Sequence, residues 1–209
     1  AKVGGLADVT SSLAIALQES GHELCLILPR YGSIKTHIQD IRKGDFVVSF
    51  RGHHEQVTMK MTRLKKRIPV YLVENDDYFG TEEIYTQDEL NRFLFFSLSI
   101  PAIISQLELH PDVIHCHDWH TALVPLWLKK AKMERPCIFT IHNLAYQGYF
   151  DQQFFLDSGL SSVWQEYILV GAPRPWLNFM SQGILLADIV TTVSPTYASE
   201  ILTPQYGGG

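Results

Sequence analysis

Apolar positions along the chain switch between a helical and a strand-like period, and the order of the switches predicts the architecture. Behind the glycine pair Gly4-Gly5, residues Leu6, Val9, Leu13 and Leu17 recur at helical spacing, with Gly21 placed as a C-terminal cap. The run Glu23–Pro29 is almost continuously apolar, the pattern of a strand covered on both faces of a parallel sheet. From Asp45 to Val73 the pattern becomes alternating and polar, with strands over Phe46–Phe50, Gln56–Leu64 and Ile68–Val73 around a basic turn, Lys65-Lys66-Arg67. This is a hairpin excursion, and its charges keep the turn solvated. A long helix spans Gln87–Leu109 with Pro101 inside it, followed by a strand at Val113–His117, a helix at Thr121–Ala131 and a strand at Cys137–His142. After an aromatic, irregular segment, Asn143–Pro175, come a helix near Asn178–Ala187, a strand at Ile189–Val193 and a helix opened by Ser194-Pro195. A loop of that length marks a functional surface.

Strands alternating with helices across short joints predict an α/β fold, a Rossmann-like doubly wound parallel sheet with a β-hairpin excursion. Ligands of such sheets collect beyond the carboxyl ends of the strands. Composition leaves this picture intact: 46% hydrophobic and 19% charged residues in 209 exclude disordered, collagen-like and coiled-coil chains. At this size about 70% of the unfolded surface can be buried, so the fold needs no staple. Seventeen Lys+Arg against 22 Asp+Glu give a net charge of −5, which argues against general binding to nucleic acid or an anionic membrane. The three cysteines, Cys25, Cys116 and Cys137, sit in apolar runs without a Cys-x-x-Cys spacing and are expected as buried thiols in a reducing compartment. The most apolar stretch, Phe93–Leu107, is too short and too interrupted for a membrane span. The opening residues carry no signal-peptide pattern, and Ala1-Lys2-Val3-Gly4-Gly5 is expected to be the middle of a longer polypeptide.

Four clusters lie where a ligand is expected. Lys2-Val3-Gly4-Gly5-Leu6-Ala7-Asp8 opens a helix, where two glycines permit close backbone approach and free N–H groups suit a phosphate; a glycine-rich helix start with a solvated lysine is the plain alternative. His115-Cys116-His117-Asp118-Trp119-His120 has the composition of a metal site, yet no distant carboxylate cluster completes a shell, and hydrogen-bonded pocket or core histidines are the better reading. Asp118 is also placed to cap the helix that follows. Thr140–Gly148 runs from a strand into a loop rich in neutral donors and acceptors, His142, Asn143, Tyr146 and Gln147, which suits sugar hydroxyls; a turn held by Asn143 and Gly148 is the alternative. No Gly-x-Ser-x-Gly elbow is present, against a serine hydrolase. The fourth cluster, Tyr85 with Asn91-Arg92-Phe93, carries no chemistry by itself.

The strings KVGGLADV (2–9), GHELCLILPRY (21–31), HCHDWHTALVP (115–125), TIHNLAYQG (140–148) and NFMSQGILLADIVTTVSPTYASEI (178–201) resemble the bacterial glycogen synthases and plant starch synthases of glycosyltransferase family 5. The resemblance implies retaining transfer of glucose from a nucleotide sugar, ADP-glucose with UDP-glucose as the alternative, to the non-reducing 4-hydroxyl of an α-1,4-glucan. It implies two Rossmann-like domains facing a cleft, no metal and no cofactor beyond the donor. Residues 1–209 match the N-terminal, acceptor-side domain, without the first strand or the C-terminal nucleotide-binding domain, so the chain alone is expected to be inactive. By the same resemblance Lys2, Gly4 and Gly5 contact the donor's diphosphate and glucosyl region and Asp8 organises that loop. His142 lines the transferred glucose with its carbonyl toward the developing positive charge, Asp118 and Asn178 bond around the sugar, Tyr85 lies near the acceptor, and Asn143 and Gln147 are acceptor or supporting contacts. The expected compartment is a bacterial cytoplasm, or a plastid for a plant protein. Two rivals remain: a metal-dependent hydrolase built on His115, His117 and His120, and a non-catalytic glucan-binding module using the aromatics between Tyr146 and Trp176.

Overall fold

A computed structural model describes residues 5–34, 41–163 and 178–207. The chain divides into two compact units, residues 1–92 and 93–209. Lys2 and Gly4, and the part of the aromatic stretch at 164–177 that includes Trp176, lie outside the described residues.

In the first unit, helix α1 (Gly5–Glu19) ends where Gly21 takes φ +93°, with the His22 and Gly21 amides donating back to the Leu17 and Gln18 carbonyls. That is the left-handed glycine cap expected from the spacing. Strands β1 (Leu26–Pro29), β2 (Ile41–Phe50), β3 (His53–Leu64) and β4 (Ile68–Glu74) form one sheet in the order β1-β4-β3-β2. β1 runs parallel to β4, and β2, β3 and β4 are antiparallel, which is the expected hairpin excursion. The β3–β4 turn places Lys65 and Lys66 at φ 50° and 60°, a mirror-image turn whose hand matches the strand twist. Alternate residues of β3, Val57, Met59 and Met61, and of β4, Ile68, Val70 and Leu72, are buried.

Helix α2 (Asp76–Phe79) is capped by Asn75, whose side-chain oxygen accepts the Tyr78 N–H at 3.1 Å. Behind it, the segment carrying Tyr85 is held by Arg92, which is 2% exposed. Its guanidinium donates to the carbonyls of Tyr78 (2.6 Å), Glu83 (3.0 Å) and Ile84 (2.7 Å) and lies over the Tyr31 ring. Arg92 therefore answers a backbone accounting problem: the Tyr78 carbonyl in the short helix α2 and two carbonyls of the irregular turn after it find one planar fork of donors.

Helix α3 (Glu89–Gln106) contains Pro101, as expected, and its Phe93, Leu94, Phe95, Ile100 and Ile103 are buried. The second unit then builds a three-stranded parallel sheet, β5 (Ile114–His117), β6 (Cys137–Ile141) and β7 (Ile189–Thr192), in that order with β6 central. A 3-10 turn (Trp119–Thr121) and α4 (Val124–Lys130) link β5 to β6, so the predicted single helix over Thr121–Ala131 is split. Pro125 stands in the first turn of α4, where its missing N–H costs nothing. Further on lie α5 (Gln152–Asp157), α6 (Phe179–Leu186) and α7 (Pro195–Glu200). Gly183 lets α6 close on β6, because a Cβ there would stand 2.7 Å from the Phe139 ring. The α/β class with parallel pairing is as predicted, while the described strands are hydrogen-bonded as two sheets. No described helix is long and apolar enough to cross a membrane.

Candidate active site

The second unit gathers its polar residues at the carboxyl ends of β5 and β6. Parallel register sets His115 beside Ile138 and His117 beside Thr140, so the two strands end within one residue of each other and Asp118 and His142 emerge side by side. Thr121 closes the end of β5 by accepting the His117 N–H at 2.6 Å and donating to the His117 carbonyl at 2.9 Å. Asp118 then leaves the strand at φ 55°, ψ −179°, a region that a side chain rarely tolerates, while its own N–H donates to the Thr140 carbonyl at 2.9 Å. This turn aims the buried carboxylate at the loop after β6. Oδ1 of Asp118 accepts the backbone N–H groups of His142 (2.7 Å) and Asn143 (3.3 Å).

Asp118 thus occupies the capping position without capping: its side chain bonds no amide of the 3-10 turn. The expectation of an N-cap role is corrected. At φ 55° the carboxylate faces a neighbouring strand end, and the turn's start is closed instead by the Asp118 carbonyl, which accepts the Thr121 N–H.

Next in the loop, the Leu144 N–H donates to the Tyr197 hydroxyl at 2.9 Å and the Ala145 N–H donates to Oδ1 of Asn143 at 3.0 Å. Asn143 therefore forms the local turn considered from the sequence, with Gly148 at φ +65° closing it. Four successive amides, from His142 to Ala145, are consumed by side chains, and among the described residues no donor is bound to the His142 carbonyl oxygen. Such a loop presents acceptors rather than donors, the polarity suited to positive charge developing nearby.

The histidines divide among different partners. Nδ1 of His117 lies 3.0 Å from Nε2 of His142, His115 stacks on His117 at 4.2 Å, and Nε2 of His115 is 2.7 Å from the Thr140 hydroxyl, which in turn bonds Thr191. His120 packs edge-on to Phe93 at 4.5 Å and beside Trp119. Of the three histidines of the metal reading, His115 and His117 stack on each other while His120 packs against Phe93 and Trp119, and no group of three His, Cys, Asp or Glu among the described residues is disposed to hold an ion.

Burial shapes the charges of this cluster. It pushes His117 down to about 3, with His115 and His142 adding repulsion, and His120 down to about 4. His115 is lowered for the same reasons; in the His142–Asp118 pair burial lowers the imidazole and raises the carboxyl, each opposed by the other. An imidazole whose folded value lies below its unfolded value of about 6.5 binds fewer protons when folded, so stability is full above that value and is lost as the pH falls toward 3. His117 and His120 each contribute a slope of at most about 1.4 kcal/mol per pH unit, partly opposed at the acid end by Asp118. Urea midpoints are therefore expected to fall steadily from pH 6.5 to 4, and a flat profile would contradict the burial of these rings.

The other sequence candidates fall elsewhere. Asn178 is 5% exposed and caps α6, its Oδ1 accepting the Ser181 N–H at 2.7 Å. Gln147 is 8% exposed and its carbonyl receives the Met180 N–H, which with the Gly148 carbonyl accepting the Phe179 N–H ties the HNLAYQG loop to α6. Gly5 and Asp8 form the first turn of α1, and Tyr85 is 51% exposed on the segment held by Arg92; all three belong to the first unit. Sequence reasoning missed Tyr197, whose only signal was its place in the first turn of a Ser-Pro helix, and His117 as the partner of His142. An open depression of about 520 Å³ beside Ile141, lined by Val190, Val193, Pro195 and Ile201, contains none of the candidates and is too apolar for a sugar diphosphate.

Known proteins resemble this chain over its whole length. Residues 1–209 match the family model described as the starch synthase catalytic domain. The chain is 40% identical over 225 residues to a glycogen synthase of Geotalea uraniireducens, covering 100% of this chain and 46% of that protein. To a glycogen synthase of Halalkalibacterium halodurans it is 37% identical over 213 residues, covering 100% and 44%. The chain spans under half the length of these relatives. Among solved structures, the catalytic domain of starch synthase IV from Arabidopsis thaliana, bound to ADP and acarbose, superposes with a TM-score of 0.89 at 32% identity, over 100% of this chain and 45% of that one. With the five sequence strings, the paired parallel strands and a family match over its whole length, the chain belongs to the starch and glycogen synthase family, as part of its catalytic domain.

Proposed function

We propose that the full-length protein transfers glucose, with retention at the anomeric carbon, from ADP-glucose to the non-reducing 4-hydroxyl of an α-1,4-glucan. The C1–O bond to the diphosphate breaks with its electron pair leaving on ADP, the bond from C1 to the acceptor oxygen forms, and the hydroxyl proton is released. The observation that carries this reading is the His142–Ala145 loop, whose four amides are already bound and whose His142 carbonyl is left to face positive charge on the sugar. In this reading Asp118 holds that carbonyl in place, and its second oxygen, which receives no hydrogen bond from a described residue, accepts one from a sugar hydroxyl. The exposed rings of Tyr146 and Tyr149 offer apolar faces for saccharide stacking.

The diphosphate role of Lys2, Gly4, Gly5 and Asp8, the sugar contacts of Asn143, Gln147 and Asn178, and the acceptor role of Tyr85 rest on the family resemblance. The bound ADP of the Arabidopsis relative supports an adenine nucleotide donor. Transfer is proposed to need no metal, in the cytoplasm of a bacterium. Labelled glucose supplied as ADP-glucose or UDP-glucose tests the reading: incorporation into glucan in α-1,4 linkage, faster from ADP-glucose and unchanged by EDTA, is expected. Release of free glucose without incorporation, or loss of activity on chelation, would overturn it.

A further inference from the structure

The loop after β6 is braced from both flanking strands. On the β5 side Asp118 receives its first two amides. On the other side β7 ends at Thr192, whose hydroxyl donates to the Ile141 carbonyl at 2.7 Å, and α7 starts three residues later. Ser194 accepts the Tyr197 N–H at 3.1 Å and Pro195 pre-sets the first turn, so the direction in which Tyr197 leaves the helix is set locally. The phenol then meets a residue 53 positions earlier, accepting the Leu144 N–H at 2.9 Å. The Leu144 side chain is buried at 7% exposure, which pins the same residue from its apolar end.

We propose that Tyr197 is a positioning residue for glucosyl transfer, fixing Leu144 and through it the His142 carbonyl two residues upstream. The proposal rests on the functional reading above. Two features distinguish this contact from ordinary packing. The bond is directed at a backbone amide of the loop in question, and no regular element of that loop offers Leu144 another acceptor. Phenylalanine at 197 fills the same space but leaves the amide unpaired, so the loop gains freedom at the point where the carbonyl must be held still.

In the full-length protein, Tyr197→Phe is expected to lower kcat about five- to tenfold, as the loss of one neutral hydrogen bond in the transition state would, with KM for donor and glucan within about twofold of wild type. Amide exchange at Leu144 should quicken, and Thr196→Ala, an exposed change on the same helix, should leave kcat unchanged. A normal kcat in Tyr197→Phe overturns the proposal, whether or not exchange quickens; so does a loss confined to KM. A wild-type protein that transfers no glucose overturns the functional reading as well, and is recognised because the failure precedes any substitution.

Discussion

Asp118→Ala is expected to lower kcat of the full-length protein by about a thousandfold while the protein still folds. The carboxylate accepts two amides of the His142 loop, and bonds to a charged acceptor contribute about 1.5–3 kcal/mol each. In the proposed mechanism their loss releases the His142 carbonyl from the position in which it would face the sugar, an effect comparable to removing a preorganised dipole from an active site, which costs about 100- to 1000-fold. Asp118→Asn keeps a neutral acceptor of the same shape and should lose only about tenfold. Asp118→Gly separates chemistry from stability. At φ 55° and ψ −179° a side chain carries about 1–3 kcal/mol of backbone strain that glycine does not. The glycine variant should therefore be more stable than the alanine variant by at least about 1 kcal/mol and just as inactive. Near-normal turnover in Asp118→Ala, or equal urea midpoints for the two variants, would contradict the account. Strain retained at this residue, where glycine would relieve it, is the structural mark of a position kept for what its carboxylate does.

The largest loss of stability is expected from Gly148→Ala. Gly148 stands at φ +65°, and a Cβ there would lie 2.4 Å from the Trp119 ring. The ring cannot step aside: Phe93 packs against it at 4.9 Å, His120 at 4.8 Å and Phe179 at 6.1 Å. Left-handed strain of about 1 kcal/mol adds to overpacking of about 2–3 kcal/mol, for a total of about 3–4 kcal/mol. Gly159→Ala provides the internal comparison, since Gly159 has φ +79° with nothing within 4 Å of the added carbon. That variant should lose only the strain, about 1 kcal/mol. Equal denaturation midpoints for the two alanine variants would show that the Trp119 contact carries no cost.

These two positions also divide what was readable in advance from what was not. The element order, the capping of the first helix by Gly21, the Ser194-Pro195 helix start and the hairpin excursion all rest on neighbours within a few residues, so periodicity and cap chemistry predict them from the chain alone. The same is true of the placement of polar residues just after β5 and β6, and the five strings identify the family before any coordinate is considered. The fate of the Asp118 carboxylate was not readable in this way. A capping role and a cross-strand role demand the same residue type at the same place, and the choice depends on one backbone angle and on a loop 24 residues away. Tyr197 and Leu144 are 53 residues apart, and His117 meets His142 only because parallel register brings two strand ends level. Local pattern reports which face of an element is apolar. It carries no information about which side chain of one strand's sequel reaches the amide of another's, because that pairing is set by register, twist and the packing of α6 and α7 around β6. The sequence by itself determined the family, the elements and the edge of the sheet where chemistry belongs. Tertiary structure alone decided that Asp118 and Tyr197 join Asn143 in consuming the amides of one loop, which leaves the His142 carbonyl without a donor among the described residues.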